Sequence, residues 1–423
     1  MQPLLYLVHR IPYPPNKGDK IRSFNLLKAL NKRYSVYLGA FVDDPKDWQY
    51  RDEIQEYCTN VKLIRLDKRV AKLFSLSGLL TNKALSLPYY KNRQMQLWVN
   101  EIVCTYKINK IIIYSSIMAQ YVEREPFHDC IRIADFVDID SDKWLQYSRK
   151  KAFPMSWIYA REARRLAKFE QKISATFQKT LFATKDEMQY FASLHPTLNT
   201  RLGYYNNGVD TKYFDPFLQY NNPYSADVLP IVFTGAMDYW ANVDAVCWFA
   251  KEVLPLIRDV MPQAHFYIVG TNPDPEVKVL SQNKGVTVTG AVRDIRPYIR
   301  YARLIVAPIR IARGVQNKVL EGMAMARPVI CTSMALEGIE LSKDYQPIIA
   351  DNASKFINHC LYVLKEQQYN TLHLSARESV IKLYNWEENL LPLIQLLEIE
   401  HGHDKEIIDT NASGINIHVS RRD

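Results

Sequence analysis

The sequence predicts an α/β protein of two domains, each a mostly parallel sheet covered by helices on both faces. Three observations lead there. The 423 residues exceed what one hydrophobic core usually serves. Short apolar runs alternate with amphipathic helical stretches along most of the chain. A stretch rich in Asn, Asp, Pro and Tyr interrupts that alternation near its middle, and the pattern then starts afresh.

The first half opens on a buried-strand run, Leu4 to His9, and a Pro- and Gly-rich loop from Pro12 to Lys20. A helix follows, with Ile21, Phe24, Leu27 and Leu30 on one side. Ser35–Phe41, Val61–Leu66, Lys110–Ser115 and Ile131–Asp138 read as further strands, and Thr180–Phe191 as a strand feeding a helix. The second half begins with the strand run Pro230–Met237 and repeats the alternation through HFYIVG, VTVTG, LIVAPI and PVICTS. The expected divisions are a first domain over 1–205, a linker over 206–229 and a second domain over 230–384. A closing helix over 385–400 should pack back on the first domain, followed by a polar, aperiodic tail, 401–423, expected to be disordered.

Hydrophobic residues at 48% and charged residues at 23% are the balance of a globular protein. The net charge of +9 suits phosphorylated small molecules, an anionic membrane surface or nucleic acid. No nucleic-acid module signature appears, so nucleic acid is not expected as a partner. The six cysteines are scattered without a CxxC, which argues against a zinc site or a disulfide framework. The first apolar run is too short for a signal peptide and no stretch is long enough to span a membrane. The expectation is a cytoplasmic protein, with peripheral contact at the inner face of an anionic membrane.

Parallel sheets bind ligands at the carboxyl ends of their strands, where helix N-termini offer unpaired N–H groups. Four junctions qualify. Gly18 and Asp19 follow the first strand, Gly235-Ala236-Met237 closes IVFTG, and Gly270 closes FYIVG. The fourth carries the most chemistry: Arg310, Arg313 and Lys318 surround Gly314 where a helix begins, a setting suited to a diphosphate. Glu321 lies one turn past Lys318 and could accept from two ribose hydroxyls, or simply pair with Lys318 at the surface. Arg293, in the loop after VTVTG, could reach a base or a phosphate. In the first half, Asp135, Asp138, Asp140 and Asp142 follow a strand, open to metal binding, general-base, sugar-binding or helix-capping roles. They lack the glycine and distal glutamate of a calcium loop. The helix Trp157–Ile173 carries Arg161, Arg164, Arg165 and Lys168, a basic face for anionic lipid or for solvent.

Together these residues resemble glycosyltransferase family 4, the retaining enzymes of the GT-B fold, from Leu4 to about Leu397. The most specific segments are NNGVDTKYFDP, GAMDYWANVDAVCWF and GVQNKVLEGMAMARPVICTSMALEGIE. The opening LVHRIPYPPNKGDKIRSFNLL and ADFVDIDSDKW are similar to the sugar transferases of exopolysaccharide and PEP-CTERM/exosortase systems. The resemblance implies two Rossmann-like domains whose parallel sheets face across a cleft. It implies transfer of a hexose from a nucleoside-diphosphate sugar to a hydroxyl of a glycan or lipid-linked acceptor, with neither cofactor nor metal. Donor-binding groups would be Gly235, Met237, Gly270, Arg293, Arg313, Gly314, Asn317, Lys318, Val319 and Glu321. Gly18, Asp138 and Lys318 would take catalytic positions, Gly18 near the donor phosphate or sugar.

The chain departs from the family at three places. Arg313 stands where the first of two glutamates eight positions apart is usual, as in the known variant with Gly and Lys before a single Glu. MDYWAN replaces a basic pair after the second domain's first strand, and Asp138 stands in for a histidine. Two other readings stay open. One is a nucleotide-sugar epimerase on the same fold, with Asp135–Asp142 supplying acid and base. The other is a basic binding protein without enzymatic activity.

Overall fold

A computed structural model of the chain describes residues 1–311, 315–343, 345–365 and 370–398. It divides into two units, Met1–Asn206 with Glu387–Asp423, and Asn207–Trp386. Arg313, Gly314 and the tail 401–423 lie outside the described residues.

The first unit is built on seven strands: β1 (Gln2–Val8), β2 (Tyr34–Val42), β3 (Asn60–Arg65), β4 (Lys110–Tyr114), β5 (Ile131–Val137), β6 (Lys179–Phe182) and β7 (Leu202–Tyr204). All pair in parallel, in the order β3-β2-β1-β4-β5-β6-β7. Strands covered on both faces need continuous apolar sequence, and KIIIY of β4 is buried throughout. Its helices include α1 (Gly18–Asn31), α2 (Lys68–Ser75), α3 (Ser77–Leu80), α4 (Asp140–Lys150) and α5 (Met155–Thr176). Arg22 of α1 is fully buried. Its guanidinium donates to both Asp135 oxygens at 3.0 and 3.1 Å and to the carbonyls of Tyr205 and Phe182, and it lies 3.5 Å from the Tyr205 ring centre. Asp135 also accepts from the Tyr205 hydroxyl. It is therefore a structural group under the sheet edge rather than a member of an acidic site.

The second unit holds β8 (Leu229–Thr234), β9 (Ala264–Val269), β10 (Val286–Gly290), β11 (Leu304–Ala307), β12 (Val329–Cys331) and β13 (Ile348–Ile349), again all parallel, in the order β10-β9-β8-β11-β12-β13. Helices α6 (Trp240–Trp248) and α7 (Asn317–Ala324) follow β8 and β11. α7 lies close on the sheet because Gly322 faces it: a Cβ there would stand 2.9 Å from Val329 and 3.2 Å from Ile305. The stretch expected as a linker is packed onto this unit. Val209 and Tyr224 enter its core, and the Tyr224 hydroxyl donates to the Tyr298 carbonyl at 2.7 Å. Its tyrosines bury large apolar rings once a polar partner is in reach. The last helix, α8 (Trp386–Glu398), belongs to the first unit from Glu387 onward, where Glu387 and Glu398 pair with Lys32 and Arg33.

Each sheet has one place where strand order reverses, between β1 and β4 and between β8 and β11. Crevices form there because the flanking crossovers leave in opposite directions.

Candidate functional site

In the second unit, the reversal point gathers the β8 turn and the start of α7. Lys318 is buried at 8% exposure. Its ammonium donates to Asn242 Oδ1 at 3.1 Å and Gln316 Oε1 at 3.0 Å, with the Phe233 ring centre 5.1 Å away. Asn242, from α6, is held by donating from Nδ2 to the Ala236 carbonyl at 2.8 Å. Gly235 makes room: a Cβ there would lie 2.8 Å from Asn242 Nδ2 and 3.6 Å from Lys318 Cε. Burial lowers the Lys318 pKa to about 8, with Glu321 pulling the other way. Burial raises the Glu321 carboxyl to about 7 against the pull of Lys318. Glu321 keeps some solvent-accessible surface, so it lies in a recess that water still reaches.

Lys318 and Glu321 form no ion pair within 4.0 Å, which removes the surface-pair reading. The lysine's hydrogen bonds go to neutral amides. A buried cation without a matched anion is costly unless an anion arrives. Beside it, Asn317 Oδ1 is buried without a hydrogen-bond partner among the described residues. Among the described residues the Gln316 side chain makes no capping hydrogen bond to α7, whose N-terminal dipole end favours a negative group.

Other anticipated residues take different places. Arg310 is occupied: Nη2 and Nε meet the two Asp244 oxygens at 2.7 and 3.1 Å, so its charge is already matched. Arg293 is exposed on the β10 loop and makes no hydrogen bond or ion pair among the described residues. The Met237 and Val319 side chains are buried in the core of the second unit. The Met237 amide donates to the Thr271 carbonyl at 2.8 Å, and its carbonyl accepts from the Asp274 amide at 3.1 Å. Gly270 is explained by packing. A Cβ there would stand 1.6 Å from the Gly235 oxygen, so the glycine lets two strand ends touch.

In the first unit, the corresponding edge holds His9, Gly18, Ser116 and Asp138. Gly18 is the exposed first residue of α1. His9 Nε2 is 3.6 Å from Asp19, while its Nδ1 is buried without a hydrogen-bond partner among the described residues, as is Ser116 Oγ. Asp138 is bound by Lys143 at 2.6 Å, and Lys143 also reaches Asp140 at 3.4 Å. Asp142 accepts from Gln146 and Tyr190. Asp138 and Asp140 thus share Lys143 while Asp135 and Asp142 have partners of their own, and among the described residues no group of three or more His, Cys, Asp or Glu could hold a metal ion. Ser115 (φ 72°) and Val137 (φ 71°) hold left-handed backbone at the ends of the adjacent strands β4 and β5. Such strain, worst for a β-branched residue, concentrates at functional edges.

Asn242, Gln316, His9 and Ser116 escaped the sequence reading. Asn242 stands 76 positions before Lys318, and no local signal links them.

Two parallel α/β units, each with its own strand-order reversal, define a two-domain Rossmann-like architecture, and the second unit carries a buried lysine without a matched anion at a helix start. Within it, residues 229–366 match the family described as glycosyl transferases group 1. Among solved structures, sucrose-phosphate synthase from Thermosynechococcus elongatus matches with a TM-score of 0.68 at 19% identity, over 94% of this chain and 98% of that one. HepE from Anabaena, in complex with UDP and glucose, matches at 0.65 and 11%, over 93% and 99%. WaaG, a glycosyltransferase involved in lipopolysaccharide biosynthesis, matches at 0.60 and 15%, over 94% and 100%. At these identities the likeness establishes the fold: two Rossmann-like domains, as in GT-B glycosyltransferase structures. No curated protein gives a significant sequence match.

Proposed function

We propose that this chain is a retaining hexosyltransferase of family 4 type. It would move a hexose from a nucleoside-diphosphate sugar to a hydroxyl of a glycan or lipid-linked acceptor in exopolysaccharide or other cell-surface polysaccharide synthesis. Peripheral contact with an anionic membrane is part of the reading. The observation that carries it is Lys318, a buried ammonium held by neutral amides at the start of α7. When the bond to the anomeric carbon breaks, the diphosphate leaves with the electron pair. Lys318 and the α7 N-terminus would receive that charge without reorganising, and no metal is called on. Glu321 as a carboxylate would hold the ribose hydroxyls, and Arg293 would meet the base. Gly18 and Asp138 would be the first unit's contribution. Retention rests on the family resemblance.

A thermal-shift panel of UDP, GDP, ADP and their sugar conjugates, with EDTA and with magnesium, tests the reading. UDP comes first because HepE is solved with it. A ligand at a hundred times its dissociation constant should stabilise the fold by about 2.7 kcal/mol. A shift with one nucleotide family in EDTA is expected, whereas no shift with any of them would remove the donor site.

A further inference from the structure

Between Lys68 and Asn100 the chain has six basic residues and no Asp or Glu. The start of this stretch folds into α2, capped by Asp67 accepting from the amides of Arg69 and Val70, and into α3. Across 68–83 only Ala71 and Gly78 are buried. The large apolar side chains face water: Leu73 is 71% exposed, Phe74 64% and Leu80 91%, with Val70, Leu76 and Leu79 also exposed. Monomeric folds rarely leave such a cluster bare without a use for it.

The cluster is held in place from its inner side. Arg161 of α5 donates to the carbonyls of Gly78 and Lys83 at 2.6 and 3.1 Å, and Glu162 accepts from the Leu85 amide and from Ser86. This corrects the sequence expectation: Arg161 is a buried tie, not a lipid-facing charge. Trp157 lies one helical turn before Arg161, on the same side of α5, and is 52% exposed. Phe153, just before α5, is almost bare. Lys72 and Lys83 in the same stretch, and Lys150 and Lys151 just before Phe153, are exposed.

We propose that this face, residues 68–83 with Phe153 and Trp157, seats the first unit on the interface of an anionic lipid bilayer. The inference rests on the proposed membrane contact and not on the transfer chemistry. Leucine and phenylalanine enter the headgroup–acyl boundary, tryptophan sits with its ring there, and the lysines meet anionic headgroups. Charge decides against a second copy as the occupant. A two-fold interface would set this acid-free basic stretch against itself.

Flotation of the full chain with phosphatidylglycerol/phosphatidylcholine vesicles and with pure phosphatidylcholine vesicles tests the proposal. The wild type should float with the anionic vesicles, and less at high salt. Leu73→Glu/Phe74→Glu/Leu80→Glu should lower the partition coefficient roughly tenfold or more, and Lys72→Glu/Lys83→Glu should lower it at low salt. All are surface positions, so both variants should keep the wild-type melting temperature and nucleotide shift. That shift reads the transferase proposal separately. A triple variant that floats like the wild type overturns the assignment of this face. A wild type that stays in the aqueous fraction overturns membrane contact altogether. A wild-type dimer lost in the triple variant, without lipid binding, gives the face to a second copy and overturns it too.

Discussion

Lys318 holds an ammonium where burial works against its charge, and its partners, Asn242 and Gln316, are neutral. Lys318→Ala should therefore weaken nucleotide binding roughly 10- to 150-fold, the value of a charge-assisted contact of about 1.5–3 kcal/mol, measured by calorimetry. Its pH dependence has a definite sign. The lysine pKa is lowered to about 8, so the anion-binding form is lost as pH rises through that value. The Glu321 pKa is raised to about 7, so the carboxylate needed for two ribose hydroxyls is lost as pH falls through that value. Affinity should be bell-shaped, with its maximum between the two. Lys318→Ala should delete the alkaline limb and Glu321→Gln the acid limb. A bound diphosphate raises the lysine pKa, so the alkaline limb in the complex should sit higher. A flat profile would place the anion elsewhere. Lys318 and Glu321 were legible in the sequence because both stand in one short motif after a strand. Asn242 was not, because only the packing of α6 beside α7 brings it to the lysine.

The strand ends are shaped by backbone contact. Gly270 touches the Gly235 carbonyl so closely that any Cβ must push the β8 and β9 ends apart. Gly270→Ala should cost about 1–3 kcal/mol or more, the range for overpacking, and should also weaken nucleotide binding by displacing the turn beside Lys318. Denaturant unfolding and calorimetry on the same variant check both, and unchanged values in both would refute the account. The sequence marked Gly235 and Gly270 as strand-end glycines, and only the tertiary structure shows the contact between them. It placed the strands well, since a buried parallel strand must be apolar along its whole length. It passed over α2 and α3; α2 carries Val70, Leu73 and Phe74 at helical spacing, and only the tertiary structure shows that these face outward.

Each unit keeps a separate core: the cluster around Ile231, Phe266 and Ile305 belongs to residues 209–384, and that around Leu7, Ile113 and Phe182 to the first unit. Nucleotide should accordingly slow amide exchange most in the second unit, at 234–237, at the 290–294 loop and along α7. Mass-spectrometric exchange with saturating nucleotide would show this, and protection led by another region would relocate the site. By itself the sequence determined that there are two α/β domains, which strand ends hold glycine or charge, and that a glutamate follows a lysine by one helical turn. These depend on local periodicity and short spacing, which any chain displays before it folds. Only the tertiary structure decided which charges are matched. Arg310 is neutralised by Asp244, Asp135 by Arg22 and Asp138 by Lys143, whereas Lys318 meets amides alone. Charge matching depends on distances of a few ångströms, and across crossovers as long as the 113 residues between Arg22 and Asp135 only folding sets them.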